Sequence, residues 1–120
     1  MNAKTTIRLA ALVGFLGVTL GAFGAHGLEH ILQKHERVDT WETAVLYHLI
    51  HAVALLTVGL FPRAPKGVVI SFLAGVILFS GSLYLLSVTN VTWLGAITPL
   101  GGVAFLVGWA MLVVSPATKG

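Results

Sequence analysis

The chain has 120 residues, of which 57% are hydrophobic and only 9% are charged, and its formal net charge is +3. Soluble domains carry about a quarter charged residues, so this composition excludes an ordinary soluble fold. The absence of cysteine excludes disulfides, a thiolate nucleophile and cysteine-ligated zinc. The seven Lys and Arg residues form no basic stripe, and we therefore expect no nucleic-acid partner.

Three long runs contain no Asp, Glu, Lys or Arg. Residues 9–28 and 43–62 form runs of 20 residues each, and residues 67–118 form one of 52 residues. About 20 apolar residues in a helix cross the hydrocarbon core of a bilayer, so the third run holds two crossings and a turn. The sequence therefore predicts an all-α fold, a four-transmembrane-helix bundle that forms one integral membrane domain over residues 1–120.

The first span is predicted over residues 7–25, and we expect it to be retained rather than removed as a signal peptide. Its glycines recur at spacings of three and four, which places them on one stripe of the helix. Such a stripe allows a neighbouring backbone to approach closely. The predicted packing residues are Gly14, Gly17, Gly21 and Gly24.

A short amphipathic helix is predicted between the first two spans, lying on the outer membrane interface. Leu28, Leu32 and His35 share its apolar face, and all four acidic residues of the chain lie between residues 29 and 42. Asp39 is expected to cap the second span, which is predicted over residues 40–61. Trp41 is expected to anchor that span at headgroup level.

The remaining two spans are predicted over residues 67–87 and 93–114, after a proline-containing basic turn at residues 62–66. Pro99 is expected to kink the fourth span. Four crossings would place five basic residues on the side of the termini and two, Lys34 and Arg37, on the other side. The five are Lys4, Arg8, Arg63, Lys66 and Lys119. This asymmetry favours an orientation with both termini in the cytoplasm, and we expect the membrane to be the plasma (inner) membrane.

Polar side chains of all four spans are expected to meet in the outer half of the bundle. His48 and His51 lie three residues apart on one face of the second span, which Tyr47 borders. Ionisable groups within a bilayer usually face the bundle interior, so we expect an outward-opening ligand pocket. Its predicted residues are His26, Tyr47, His51, Ser80, Ser82, Tyr84 and Thr98. Hydrogen bonding that only stabilises the bundle is the alternative interpretation of these residues.

A metal site is a further alternative, although no cofactor is identified. His26, Glu29 and His30 match the pattern His-x-x-Glu-His, but the match is too short to indicate a peptidase. His26 or His30 could instead combine with His48 or His51, because imidazole is a suitable ligand for zinc or copper.

Three segments resemble a known family: GAFGAHGL at residues 21–28, FSGSLY at 79–84 and TPLGGVAFLVGW at 98–109. They resemble the small bacterial membrane proteins called domain of unknown function 423, to which the transmembrane protein 256 group is similar. The resemblance covers essentially the whole chain and implies a four-helix inner-membrane protein without a settled activity. By position it points to the predicted pocket residues and Pro99, and its usual pattern has a histidine at His51 rather than at both His48 and His51.

The leading hypothesis is a non-enzymatic membrane protein that binds a small ligand, an ion or a lipid headgroup. An accessory or assembly subunit of a larger membrane complex is the main alternative, and a homo-oligomer is compatible with both. Proton or ion translocation is a third hypothesis, because histidine titrates near neutral pH. A membrane enzyme is the fourth, for which no catalytic residue is predicted. The lipid bilayer is the expected partner in every case.

Overall fold

A computed structural model of the chain describes residues 2–115, and every regular element in that range is helical. The helices are α1 (Ala3–Ala25), α2 (Glu29–Lys34), α3 (Val38–Gly59), α4 (Lys66–Thr89) and α5 (Thr98–Val114), with a short 3-10 helix, Thr92–Ala96, leading into α5. Four segments are long and apolar enough to cross a membrane, namely α1, α3, α4 and Thr92–Val114. This confirms the predicted four-span all-α fold with a short helix between the first two spans.

Two predictions about helix starts are wrong. Helix α3 begins at Val38, and Arg37 occupies its N-cap position, where its side chain makes no capping hydrogen bond to the helix. Asp39 therefore lies in the first turn, where its negative charge interacts favourably with the helix dipole. Pro99 lies at the start of α5, following the 3-10 helix, and does not kink the interior of a helix. A first turn accepts proline because its N–H groups have no intrahelical acceptor.

The spanning helices pack in sequence: α1 packs along α3, α3 along α4, and α4 along α5. The four glycines predicted to pack all face α3. A Cβ atom added to Gly17 would lie 2.6 Å from Leu49 Cδ2, and one added to Gly24 would collide with the indole of Trp41. Without side chains at these positions, the two helices approach each other closely, as is usual where lipid supplies no hydrophobic driving force.

Helix α4 changes its winding halfway along, in a π-helical stretch from Val76 to Ser80. Before the stretch, the buried Phe72 joins the main apolar core, which also contains Leu55 and Phe105. After it, α4 turns polar side chains toward its neighbours. Each π turn contains an extra residue, and such stretches recur at functional sites.

Contacts between helix ends identify the two ends of the bundle. Gly59 packs against Thr6 and Ile7, and Gly67 against Met111, so the start of α1, the 60–65 turn and the end of α5 lie together. We call this the basic end, because it carries Lys4, Arg8, Arg63 and Lys66. Lys119 lies outside the described residues.

The connection between α1 and α3 lies at the opposite end, which we call the connector end. His35 Nδ1 donates a hydrogen bond of 3.0 Å to the Ser87 carbonyl, and Arg37 Nε donates one of 3.2 Å to Asn90 Oδ1. These bonds tie the amphipathic helix α2 to the end of α4. Lys34 and Arg37 are thus separated from the basic end by the length of the bundle.

Candidate functional site

His48 joins three helices. Its Nε2 lies 2.8 Å from the Val13 carbonyl of α1, and its Nδ1 lies 2.8 Å from the Tyr84 hydroxyl of α4. A carbonyl can only accept, so Nε2 carries the proton, and in the neutral ring Nδ1 accepts from Tyr84. The side chain is 4% exposed. Both of its nitrogens are therefore used inside the protein.

His51 is held in the opposite tautomer. Its Nδ1 donates to the Tyr47 carbonyl, one turn earlier in α3, at 2.8 Å. Its Nε2 accepts from Trp109 Nε1 of α5 at 3.0 Å. Because an indole nitrogen can only donate, this geometry requires a neutral His51 with the proton on Nδ1. The ring also stacks on Phe105 with a centroid distance of 3.7 Å.

The hydroxyl groups of α4 make similar bonds to neighbouring helices. Ser80 donates to the Ala44 carbonyl of α3 at 2.7 Å. Ser82 donates to the Phe79 carbonyl at 3.0 Å, so its oxygen accepts the 2.6 Å bond from Thr98 of α5. No buried side-chain nitrogen or oxygen of the described residues lacks a hydrogen-bond partner. The predicted pocket residues thus mostly bond within the bundle.

The four histidines considered as metal ligands are not brought together. His26 follows the end of α1 and His30 lies in α2, and both are exposed at the connector end. Over residues 2–115 no group of three or more His, Asp or Glu residues could hold a metal ion. The neutral rings of His48 and His51 also offer no free lone pair, because each accepting nitrogen already has a donor.

The start of α3 fixes how far its polar groups lie along the helix. Counted from Val38 at about 1.5 Å per residue, His48 lies about 15 Å along the helix and His51 about 20 Å. They therefore lie near the middle of α3, and their position in the outer half of the membrane stays a prediction.

Cavities open between the helices of the described residues, and two of them contain residues discussed above or adjoin them. The first, which we call the outer cleft, has a volume of about 400 Å³ and lies between α1, α2 and α3. Its lining consists of Gly21, Gly24, Ala25, Glu29, Leu32, Gln33, Val38, Trp41, Glu42, Val45, Leu46 and Leu49. The amphipathic helix and the glycine stripe thus contribute to one cavity, which the sequence did not indicate.

Trp41 forms part of the outer cleft and is buried between the helices, while its predicted position at headgroup level stays a prediction. Its Nε1 donates to the Leu20 carbonyl of α1 at 3.0 Å, and its ring lies 4.7 Å from that of Tyr84. The indole reaches α1 because Gly24 has no side chain there. A glycine in one helix opposite a tryptophan in its neighbour could have indicated this contact from the sequence, but only if the pairing of α1 with α3 had been known.

The second cavity, which we call the aromatic groove, has a volume of about 520 Å³ and lies between α3, α4 and α5. Its lining consists of Tyr47, Phe79, Pro99, Gly102, Val103, Phe105, Leu106 and Trp109. Sequence reasoning overlooked Trp109, although an indole deep in a span needs an acceptor and His51 was a candidate for that role.

A family model described as "Protein of unknown function (DUF423)" matches residues 20–102. The chain is similar to UPF0382 membrane protein YwdK of Bacillus subtilis, with 50% identity over 93% of this chain and 95% of the relative. It is also similar to a UPF0382 membrane protein of Haemophilus influenzae, with 42% identity over 88% of each protein. No solved structure matches the chain.

Proposed function

This chain belongs to the DUF423 family of membrane proteins, and we propose that it is a binding protein rather than an enzyme. The proposed ligand is an amphipathic molecule with an apolar chain and a cationic headgroup, bound in the outer cleft. The observation that carries this proposal is a cavity with apolar walls and two carboxylates, Glu29 and Glu42, among its lining residues.

The chemistry of the outer cleft supports a cation. Glu29 accepts a hydrogen bond of 3.2 Å from Gln33, whereas no hydrogen bond or ion pair joins the Glu42 side chain to another described residue. Glu29 and Glu42 are both exposed, so a cationic headgroup can reach them, and its attraction to a carboxylate is stronger beside an apolar surface than in bulk water. The volume of about 400 Å³ lies within the range of small-molecule sites.

The wall below the headgroup supports an alkyl chain. Leu46 and Leu49 line the cleft on α3, and Gly21 exposes the backbone surface of α1. Tyr84 packs against Trp41, and His48 binds Tyr84 from the other side. In this proposal the predicted pocket residue Tyr84 and the candidate metal ligand His48 position the cleft wall without touching the ligand.

We propose the orientation in which the basic end faces the cytoplasm and the outer cleft opens at the exterior leaflet of the plasma membrane. The support is the number of basic residues: four described residues at the basic end against Lys34 and Arg37 at the connector end. The cleft would then admit ligands laterally from the outer leaflet.

A competition between two probes tests the proposal. The protein, in nanodiscs, is titrated with a spin-labelled alkyl-trimethylammonium and with a spin-labelled alcohol of equal chain length. We expect preferential immobilisation of the ammonium probe, and Glu42→Gln should reduce this preference about five- to tenfold, which corresponds to about 1–1.4 kcal/mol. Ala25→Leu, which narrows the cleft, should weaken binding of both probes.

Glu36→Gln is the matched control, because it removes the same charge from a position that does not line the cleft. It should leave the preference unchanged. Equal effects of Glu42→Gln and Glu36→Gln would show that only the general surface charge attracts the probe, and would reject the site.

A further inference from the structure

The aromatic groove shares no lining residue with the outer cleft and contains no charged residue. We propose that it is a second binding site, for a neutral, planar ring that dissolves in the membrane and carries a carbonyl oxygen, as a quinone headgroup does. The inference does not depend on the proposed function of the outer cleft.

The Tyr47 hydroxyl supplies the first reason. The Tyr47 ring packs against Phe79 with a centroid distance of 4.8 Å, and the residue remains 39% exposed. Its hydroxyl makes no hydrogen bond to the described residues, whereas the Tyr84 hydroxyl is bonded to His48. Tyr47 lies about 13 Å along α3 from Val38, far from either end of that helix. An unpaired donor in the hydrocarbon region costs several kcal/mol, so a ligand acceptor would be strongly favoured there.

The other polar groups at the groove are already paired, so the Tyr47 hydroxyl is the lining group left to bond a ligand, and a carbonyl oxygen would take its proton. Trp109 Nε1 donates to His51, and both nitrogens of His51 are occupied. A cation or an anion would find no counter-charge among the lining residues. An alkyl chain could fill the volume but would leave the Tyr47 hydroxyl unbonded.

The aromatic lining of the groove favours a flat ring. Aromatic side chains at Phe79, Phe105 and Trp109 offer surfaces for stacked or edge contacts, which add to the area buried. Gly102 leaves open space: the nearest atom to a Cβ added there is Phe79 Cδ2, at 4.0 Å. A volume of about 520 Å³ is sufficient for a small-molecule site.

The test uses the full chain in phosphatidylcholine nanodiscs, with the three tryptophan indole N–H signals followed by ¹⁵N NMR. The probe is 2-methyl-1,4-naphthoquinone, and 2-methylnaphthalene, which has no carbonyl, is its control. We expect the quinone to shift the Trp109 signal saturably while the Trp41 signal stays in place. The control compound should bind more weakly to the wild-type protein.

Tyr47→Phe removes one oxygen atom and should weaken quinone binding about five- to tenfold, with no effect on the naphthalene. Gly102→Leu should abolish the saturable shift, while the Trp41 and Trp93 signals should keep their wild-type chemical shifts because the variant is folded. Should Gly102→Leu fail to fold, Tyr47→Phe alone decides the question.

Three results would overturn the proposal. Unchanged quinone affinity in Tyr47→Phe would show that the Tyr47 hydroxyl makes no hydrogen bond to the ligand. Equal affinity of the wild-type protein for the two probes would indicate an acyl-chain groove. A Trp109 shift that depends on protein concentration without probe would show that a second copy of the chain occupies the groove.

Discussion

Two adjacent glycines in α5 should respond oppositely to the same substitution. A Cβ atom on Gly101 would lie 2.7 Å from Phe79 Cα and closer still to Phe79 N, which are backbone atoms of α4. No rotamer change can relieve that contact, so α4 and α5 would have to separate. A Cβ atom on Gly102 meets nothing closer than 4.0 Å.

The expected difference follows from the contact alone. Gly→Ala in a helix interior gains about 1 kcal/mol of intrinsic helix propensity, and both neighbours share this gain. Overpacking against an unyielding surface costs about 1–3 kcal/mol, and only Gly101→Ala incurs it. Gly101→Ala should therefore be about 1–3 kcal/mol less stable than Gly102→Ala, which should itself equal or exceed the wild type.

Unfolding by sodium dodecyl sulfate in mixed micelles, followed by far-UV circular dichroism, measures this difference. The two variants have the same composition and differ by one position, so each serves as the control of the other. Equal unfolding midpoints, or a more stable Gly101→Ala, would refute the close packing of α4 against α5.

Three further measurements address the polar pairs and the orientation. His48→Leu and Tyr84→Phe, singly and together, should show a coupling free energy of about 0.6–1.7 kcal/mol; additive effects would contradict their hydrogen bond. Gly24→Ala should cost about 1–3 kcal/mol, and adding Trp41→Phe should recover part of it, since phenylalanine lacks the indole Nε1, the atom that the new methyl group would meet most closely. Lys34→Cys, which gives the chain its one cysteine, should react with a membrane-impermeant maleimide in intact cells; reaction only after lysis would invert the topology.

The four spans were predictable because lipid excludes charged side chains, so uncharged runs such as residues 67–118 mark the crossings directly. Helix ends were less predictable, because several neighbouring residues of a connector could each cap the helix. Asp39 had a suitable side chain for a cap, yet α3 starts at Val38. Polar connectors contain several such residues, and the sequence alone does not rank them.

The candidate site was only partly predictable. A spacing of three does place His48 and His51 on one side of α3, but it also separates them by about 60° around the axis. That angle directs His48 toward α1 and α4 and His51 toward Trp109 of α5, with opposite tautomers. Which helix lies beyond each face depends on tertiary packing, which has no local signal in the sequence.

The packing also changes how an accessory-subunit role should be tested. Bulky substitutions at Gly17 or Gly21 would collide with Leu49 or Val45 of the same chain. Their effects would report folding, and they cannot identify docking to a partner. Exposed positions outside both cavities, such as Phe15 and Val18, are better choices for that purpose.

The π-helical stretch of α4 has a consequence for how the chain can change its length. Because the wide turn accommodates one extra residue, the segments on either side keep the angular phase of a regular helix that is one residue shorter. Removing the lipid-facing Ile77 and restoring regular winding should therefore leave Tyr84 facing His48 and Ser82 facing Thr98. The same deletion in a regular α-helical part of α4 would rotate one segment by about 100° relative to the other, so the π-helical stretch is where the loss of one codon should be tolerated best.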